Sequence, residues 1–312
     1  MSATNTNRRD MVKKIGAAVG LSCLPVFSSA AQPVVKPAFT LCLNMSTIQG
    51  QKLGFVKELE VAAKAGFRSV EIWINTLQTY LDQGGTLTDA RKRLHDLGLK
   101  VENAIGFAAW IVDDAATRTK GVDQLKREME MLAQLGCKRT AAPPVGATQE
   151  PGLDLKKAAE RYRAILEIGD QTGVVPQLEM WGGSKNLSRV SEILYVAAES
   201  GHSSARVLLD VFHLYKGDSS LNSLPLVGKA GIEVFHINDY LATTSPATIS
   251  EPDRIYPGDG VAPIKQILQT IRNPDRPIVL SFEVFNKSYY AQDALLVAQT
   301  ALKKMTAVIK TV

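Results

Sequence analysis

The feature that most constrains this chain is a repeated beat. From Ala38 onward, apolar runs of five to nine residues alternate with segments whose apolar residues recur at three- and four-residue spacing. The runs lie at 39–45, 69–74, 100–107, 139–143, 174–181, 205–213, 232–239 and 277–285. Their apolar character is mostly continuous rather than alternating, as in strands covered on both faces of a parallel sheet. The segments between them, FVKELEVAAKAG and ALLVAQTALKKMTAVI among the clearest, carry the helical period. Several close on a glycine just before the next strand (Gly66, Gly98, Gly136, Gly173, Gly201, Gly231), where a left-handed C-cap is expected. Eight strand–helix units in about 280 residues predict an α/β fold, a single (β/α)8 TIM barrel over residues 38–312. An open doubly wound sheet would place a glycine-rich phosphate turn after an early strand, and the sequence has none there.

Residues 1–31 stand outside this beat. A charged NRRDMVKK is followed by IGAAVGLSCLPVFSSAA, an apolar stretch ending in small residues. This is the layout of a cleaved signal, and consecutive Arg8 and Arg9 resemble a twin-arginine export signal. About 15 apolar residues broken by Pro25 are too few to span a bilayer. The expected location is therefore periplasmic or otherwise exported, without a stable membrane span. The segment also changes the charge argument. The whole chain has 36 Lys+Arg against 31 Asp+Glu, a net +5, but Arg8, Arg9, Lys13 and Lys14 against Asp10 contribute +3 of it. The remaining charge is too small to argue for nucleic acid as a partner. Cys42 and Cys137, which lie beyond the signal, make no disulfide framework.

In a parallel barrel, chemistry gathers at the C-terminal ends of the strands. Four successive runs carry a lone charged or imidazole group there: Glu179 on the fifth, Asp210 on the sixth with His213 three residues on, His236 on the seventh, and Glu283 on the eighth. An unpaired charge in an apolar run costs several kcal/mol, so these groups need a partner. Three carboxylates converging with an imidazole would repel one another, and a divalent cation neutralises them. Oxygen and nitrogen donors together suit Mn²⁺, the first expectation, or Mg²⁺, Co²⁺ or Zn²⁺. His95 and His202 read as ordinary helix-end histidines. Asn44 and Glu71 could reach the pocket from the first two strands.

The motifs LEMW, LLDVFH, FHIND, DRIYPGDG and SFEVF resemble those of the sugar phosphate isomerase/epimerase superfamily with the xylose isomerase-like barrel, over essentially all of 38–312. The DRIYPGDG arrangement is closest in character to its inosose isomerase and dehydratase branches. The resemblance implies that Glu179, Asp210, His236 and Glu283 bind one divalent metal. It also implies that Glu179 and Glu283 double as the acid and base, and that His213 and Arg254 face the substrate. Ketohexose 3-epimerases of the superfamily carry a second Glu after the fifth-strand ligand and an Arg after the seventh-strand His; WGGSKN and NDYLAT have neither. Endonuclease IV needs further His and carboxylate ligands that this chain lacks, which again leaves nucleic acid out.

The implied activity is a metal-dependent isomerase or epimerase acting through a metal-stabilised enediolate. Elimination from the same enediolate, by an inosose dehydratase-like or 3-keto-glycoside lyase, is the alternative. Asp259 in the PGDG turn would repel phosphate, so a non-phosphorylated keto-sugar or polyol is expected as the small-molecule partner. Trp73, Trp110 and Trp181 fall on the mouth side, where a sugar face could pack on them. They could equally pack against a second copy in a homo-oligomer. Lys185 is a further candidate substrate contact.

Overall fold

All eight strands form: β1 (Phe39–Asn44), β2 (Ser69–Trp73), β3 (Lys100–Ile105), β4 (Arg139–Ala142), β5 (Val175–Glu179), β6 (Val207–Asp210), β7 (Ile232–Ile237) and β8 (Ile278–Phe282). They come from a computed structural model that describes residues 37–312. The export signal read at 1–31 lies outside the described residues. Every ladder is parallel, and the strand order β3-β2-β1-β8-β7-β6-β5-β4 wraps the sheet into a near-closed barrel. The β3–β4 seam is bridged by side chains instead: Thr140 Oγ1 donates to the Ala104 carbonyl at 3.3 Å, and Arg139 Nη1 to that of Glu102 at 3.1 Å.

The helices cover the outside through the apolar stripes that the spacing predicts. Helix Ala294–Ile309 buries Ala294, Val297, Ala298, Ala301 and Met305, one face of a 3.6-residue period. Asp114, Asp154 and Asp293 each cap a helix by accepting backbone N–H groups of its first turn, which would otherwise have no acceptor. Five of the six expected closing glycines have positive φ; Gly231 does not, because it is the last residue of a short helix, Gly228–Gly231, that passes directly into the extended Ile232 of β7. β6 is shorter than its apolar run. It ends at Asp210, and His213 sits on the short helix Val211–Lys216 that follows.

At the opposite, N-terminal end of the barrel, Glu233 accepts from Arg139 Nε at 2.6 Å and Arg206 Nε at 3.0 Å. Among the described residues no helix is long and apolar enough to cross a membrane.

Candidate metal centre and pocket

Strand register brings the polar residues into layers. Asp210 lies opposite His236, and His236 opposite Ser281; on the far wall Asn44 pairs with Glu71, and Glu71 with Asn103. Ligand atoms of Asp210, His236 and Glu283 come within 4.8 Å of one another, all buried. His236 Nδ1 is 3.1 Å from Glu283 Oε2 and 3.7 Å from Asp210 Oδ2. Glu179 stands slightly apart, its Oε1 4.0 Å from the same nitrogen. Asn238 Nδ2 donates to both Asp210 oxygens at 3.1 Å and fixes that carboxylate.

Glu71 sits beneath this group, fully buried. Its Oε1 accepts from Asn103 Nδ2 at 2.6 Å and faces His236 Nε2 at 3.1 Å; its Oε2 accepts from Asn44 Nδ2 at 2.8 Å and Ser281 Oγ at 2.5 Å. A carboxylate can only accept here, so His236 carries a proton on Nε2, and Nδ1 is turned toward the three carboxylates above. Nδ1 is buried without a hydrogen-bond partner. A carboxylate behind an imidazole, with the other ring nitrogen presented to a set of oxygens, is the usual build of a histidine metal ligand. The donor set therefore fits a divalent cation.

The electrostatics of the carboxylates diverge. Burial pushes Glu179 up to about 8, with the nearby Glu283 and Glu71 charges adding to it and His236 opposing. Burial acts the same way on Glu283, but His236 and Arg254 outweigh it and hold that carboxyl well below its ordinary range. Asp210 is raised by burial against the pull of Arg254. Burial alone would lower His236, yet Glu283 and Glu71 raise it well above its usual value.

Arg254 reaches this centre from the loop after β7. Its Nη1 donates to Glu283 Oε2 at 2.7 Å and Asp210 Oδ2 at 3.0 Å, and the guanidinium carbon lies 4.2 Å from the Phe212 ring centre and 5.2 Å from that of Phe285. The loop is pinned by a two-residue bridge between Asp239 and Ile255. Asp239 also accounts for the PGDG turn. Its carboxylate accepts the backbone N–H groups of Tyr240, Gly258, Gly260 and Ala262 at 2.8–3.0 Å, so the turn's amides are already satisfied. His213 Nδ1 accepts the Gly182 N–H at 3.2 Å, so the neutral ring carries its proton on Nε2; Arg254 Nη2, 3.4 Å away, is itself only a donor, and the acceptor for Nε2–H has to come from the cavity. Burial and the Arg254 charge keep this imidazole well below its ordinary pKa, hence neutral. Gly182 is required for this contact: a Cβ there would lie 2.3 Å from the His213 carbonyl oxygen.

Above the centre opens a cavity of about 270 Å³ whose lining includes Glu179, Glu283, His213, Arg254 and Trp181, all expected from the sequence. Trp73 lines it as well. Trp110 does not: it is fully buried, donates Nε1 to the Pro143 carbonyl at 2.9 Å and packs on Tyr162. Lys185 is exposed and is not part of the wall. Glu251, Phe107 and Phe285 line the cavity although the sequence reading passed over them. Phe285 follows Glu283 by two residues, and the two-residue strand period could have found it. Phe107 follows the cavity-lining Ile105 by two residues in the same way, whereas Glu251 lies in the loop after β7, where no periodicity points inward.

Fold and site together define a parallel α/β barrel with a carboxylate–imidazole centre at its mouth, beneath a small polar and aromatic pocket. The chain belongs to the xylose isomerase-like TIM barrel family, whose sequence model matches residues 59–307. It is 26% identical over 276 residues to inosose isomerase of Bacillus velezensis, covering 86% of this chain and 96% of that one. It is 25% identical over 248 residues to 3-dehydroshikimate dehydratase of Pseudomonas putida, covering 75% of this chain and 36% of that longer protein. Among solved structures it superposes on the IOLI protein with a zinc atom (TM-score 0.79, 22% identity, 87% and 98% coverage). It also superposes on a D-psicose 3-epimerase (TM-score 0.70, 20% identity, 87% and 99% coverage). These relatives are enzymes of one fold with different reactions.

Proposed function

We propose that this protein is a divalent-metal-dependent isomerase or epimerase of a non-phosphorylated keto-sugar or polyol. The observation that carries the reading is the convergence of Asp210, His236 and Glu283 on one point, with the unpartnered Nδ1 of His236 aimed into it and Glu179 alongside. These four residues would hold the ion. A bound divalent ion would polarise a substrate carbonyl and acidify the neighbouring C–H.

The chain's own groups supply the rest. Glu179 and Glu283 both border the cavity, so one can take the proton from the activated carbon while the other delivers a proton. Return to the opposite face of the same carbon gives epimerisation, and return to the adjacent carbon gives aldose–ketose exchange. His213 Nε2–H and the Arg254 guanidinium donate to substrate oxygens and fix the ring over the two carboxylates.

The dehydratase relatives favour a second reading, in which a hydroxyl or glycosyloxy group leaves after the same proton abstraction. Proton NMR in D₂O with a panel of inososes, keto-hexoses and 3-keto-glycosides tests both. Deuterium entering an intact skeleton supports isomerase or epimerase, and loss of water or aglycone supports the lyase. No exchange with any of them, in protein shown by metal analysis to hold about one ion per chain, refutes the proposal. With the export signal read at residues 1–31, the reaction would take place in the periplasm or otherwise outside the cytoplasm.

A further inference from the structure

The pocket has two unlike walls. One is polar, with His213, Arg254 and Glu251 at its base. The other is a connected arc of four aromatic rings: Phe285 beside Trp73 (centres 5.9 Å apart), Trp73 beside Phe107 (5.4 Å), and Phe107 beside Trp181 (6.3 Å). The arc begins next to Arg254 and Glu283, reaches the rim at Phe107, which is 41% exposed, and closes on Trp181. A lone exposed apolar side chain needs no explanation, and Leu226 and Leu296 are of that kind. Phe107 differs because it continues a wall that starts at the reacting centre.

Size and charge narrow what would lie on that wall. A cavity of about 270 Å³ sits just below the usual range for small-molecule sites, roughly 300–1,000 Å³, and holds one sugar-sized ring with little to spare. Anything attached to that ring must leave the cavity across the rim. Three carboxylates, Glu179, Glu251 and Glu283, line the pocket, and Arg254 is the one cation that does so among the described residues. Arg254 is already engaged by Glu251 and Glu283, so an anionic substituent would find no free cation there, whereas a flat apolar one would meet ring faces.

We propose that the substrate is larger than a free monosaccharide: a neutral keto-polyol ring bearing a flat apolar substituent that lies on Phe107 and Trp181. This rests on the reading of the preceding subsection that a keto-polyol binds over Glu179 and Glu283. It places the specificity of the site in the rim and not in the metal ligands.

The test compares methyl and phenyl 3-keto-β-D-glucopyranoside with the metal-loaded protein. Dissociation constants come from tryptophan fluorescence, and kcat/KM from deuterium exchange in D₂O. The phenyl compound is expected to bind about three- to ten-fold tighter than the methyl one, the range of one aromatic pairing. Phe107→Ala should bring that ratio to within about two-fold of unity, chiefly by weakening the phenyl compound. Equal binding of the two compounds, a preference that survives Phe107→Ala, or a loss shared equally by both compounds would each overturn the proposal. Its failure is separable from that of the underlying reading. Exchange into the methyl compound without phenyl preference removes only the rim subsite, and absence of exchange with these two and with the inososes and keto-hexoses of the panel removes the keto-polyol reading as well.

Discussion

Glu71 offers a sharp test of how the centre is built, because it touches no substrate and lines no cavity. Each of its oxygens accepts two donors, and a glutamine keeps only one of those oxygens. If the amide nitrogen took the Oε1 place, it would confront Asn103 Nδ2 and His236 Nε2–H. Neither donor is free to turn: the Asn103 carbonyl already accepts from Gln177 at 3.2 Å. In the Oε2 place it would confront Asn44 and Ser281, and the serine hydroxyl can rotate to accept. Asn44 cannot, since its carbonyl holds Ser46 N–H and Trp73 Nε1, both at 2.9 Å. The second placement leaves one stranded donor instead of two and therefore wins. His236 then keeps an acceptor that is neutral instead of charged. One unsatisfied buried donor should lower stability by about 1–3 kcal/mol. The less basic imidazole should weaken metal affinity by about 10-fold, the low end of the range for groups behind a ligand. Glu71→Ala removes the acceptor altogether and should cost about 100-fold, or about 2.8 kcal/mol. The assay is competition between protein and a chromophoric chelator for Mn²⁺ and Zn²⁺, with near-ultraviolet circular dichroism to show that each variant is folded. Folded variants with lower melting temperatures and metal affinities within two-fold of wild type would refute the argument, because Glu71 would then be a packing residue only.

Four further outcomes are expected. Glu179→Gln and Glu283→Gln should each lower kcat by about 10²–10⁴-fold with the fold intact, and an active double variant would sink the acid–base assignment. Glu58, buried and without an ion-pair partner among the described residues, is pushed up from 4.5 to about 7 by burial. Between those values the folded state holds a proton that the unfolded state releases, so stability should fall by about 2–3 kcal/mol as pH rises from 4.5 to 7 and level off above. Urea denaturation at pH 5 and 8 should show that slope in wild type and not in Glu58→Gln; parallel profiles would count against it. Trp110→Phe should cost about 1–3 kcal/mol through the lost bond to Pro143 and leave KM unchanged, whereas a raised KM would return Trp110 to the substrate wall. A reporter fused behind residues 1–31 should be exported and should stay inside the cell when Arg8 and Arg9 are both changed to Lys; export of the Lys–Lys form would argue for another route.

The barrel was legible because each strand falls in a mostly apolar run and each helix repeats its stripe, so two periods alternate along the chain. The centre was legible for a related reason. Glu179, Asp210, His236 and Glu283 are polar exceptions at the ends of apolar runs, and strand order alone gathers them. What the sequence could not carry is direction within loops. Trp110 follows β3 as expected of a mouth residue, but Gly121 packs so closely on Ala109 that a Cβ would lie 2.5 Å from its carbonyl. That contact folds the loop against the helix and sends the indole into the core beside Tyr162. Glu71 was visible as a polar residue able to reach inward. Its hold on His236, however, depends on a cross-barrel juxtaposition that no local spacing encodes. Glu251 lies in a segment where neither period operates.

Asp210 divides its two oxygens between different duties. Oδ1 accepts the backbone N–H groups of Phe212 and His213, at 2.5 and 3.1 Å, and so starts the helix that carries His213; Oδ2 faces Arg254 and His236. Glu179 caps no helix. A descendant that abandoned the chemistry would therefore still be under pressure to keep an aspartate at 210, simply to fold, while nothing comparable would protect position 179. In sorting barrels of this kind into working enzymes and retired ones, the aspartate is a poor witness and the fifth-strand glutamate a good one.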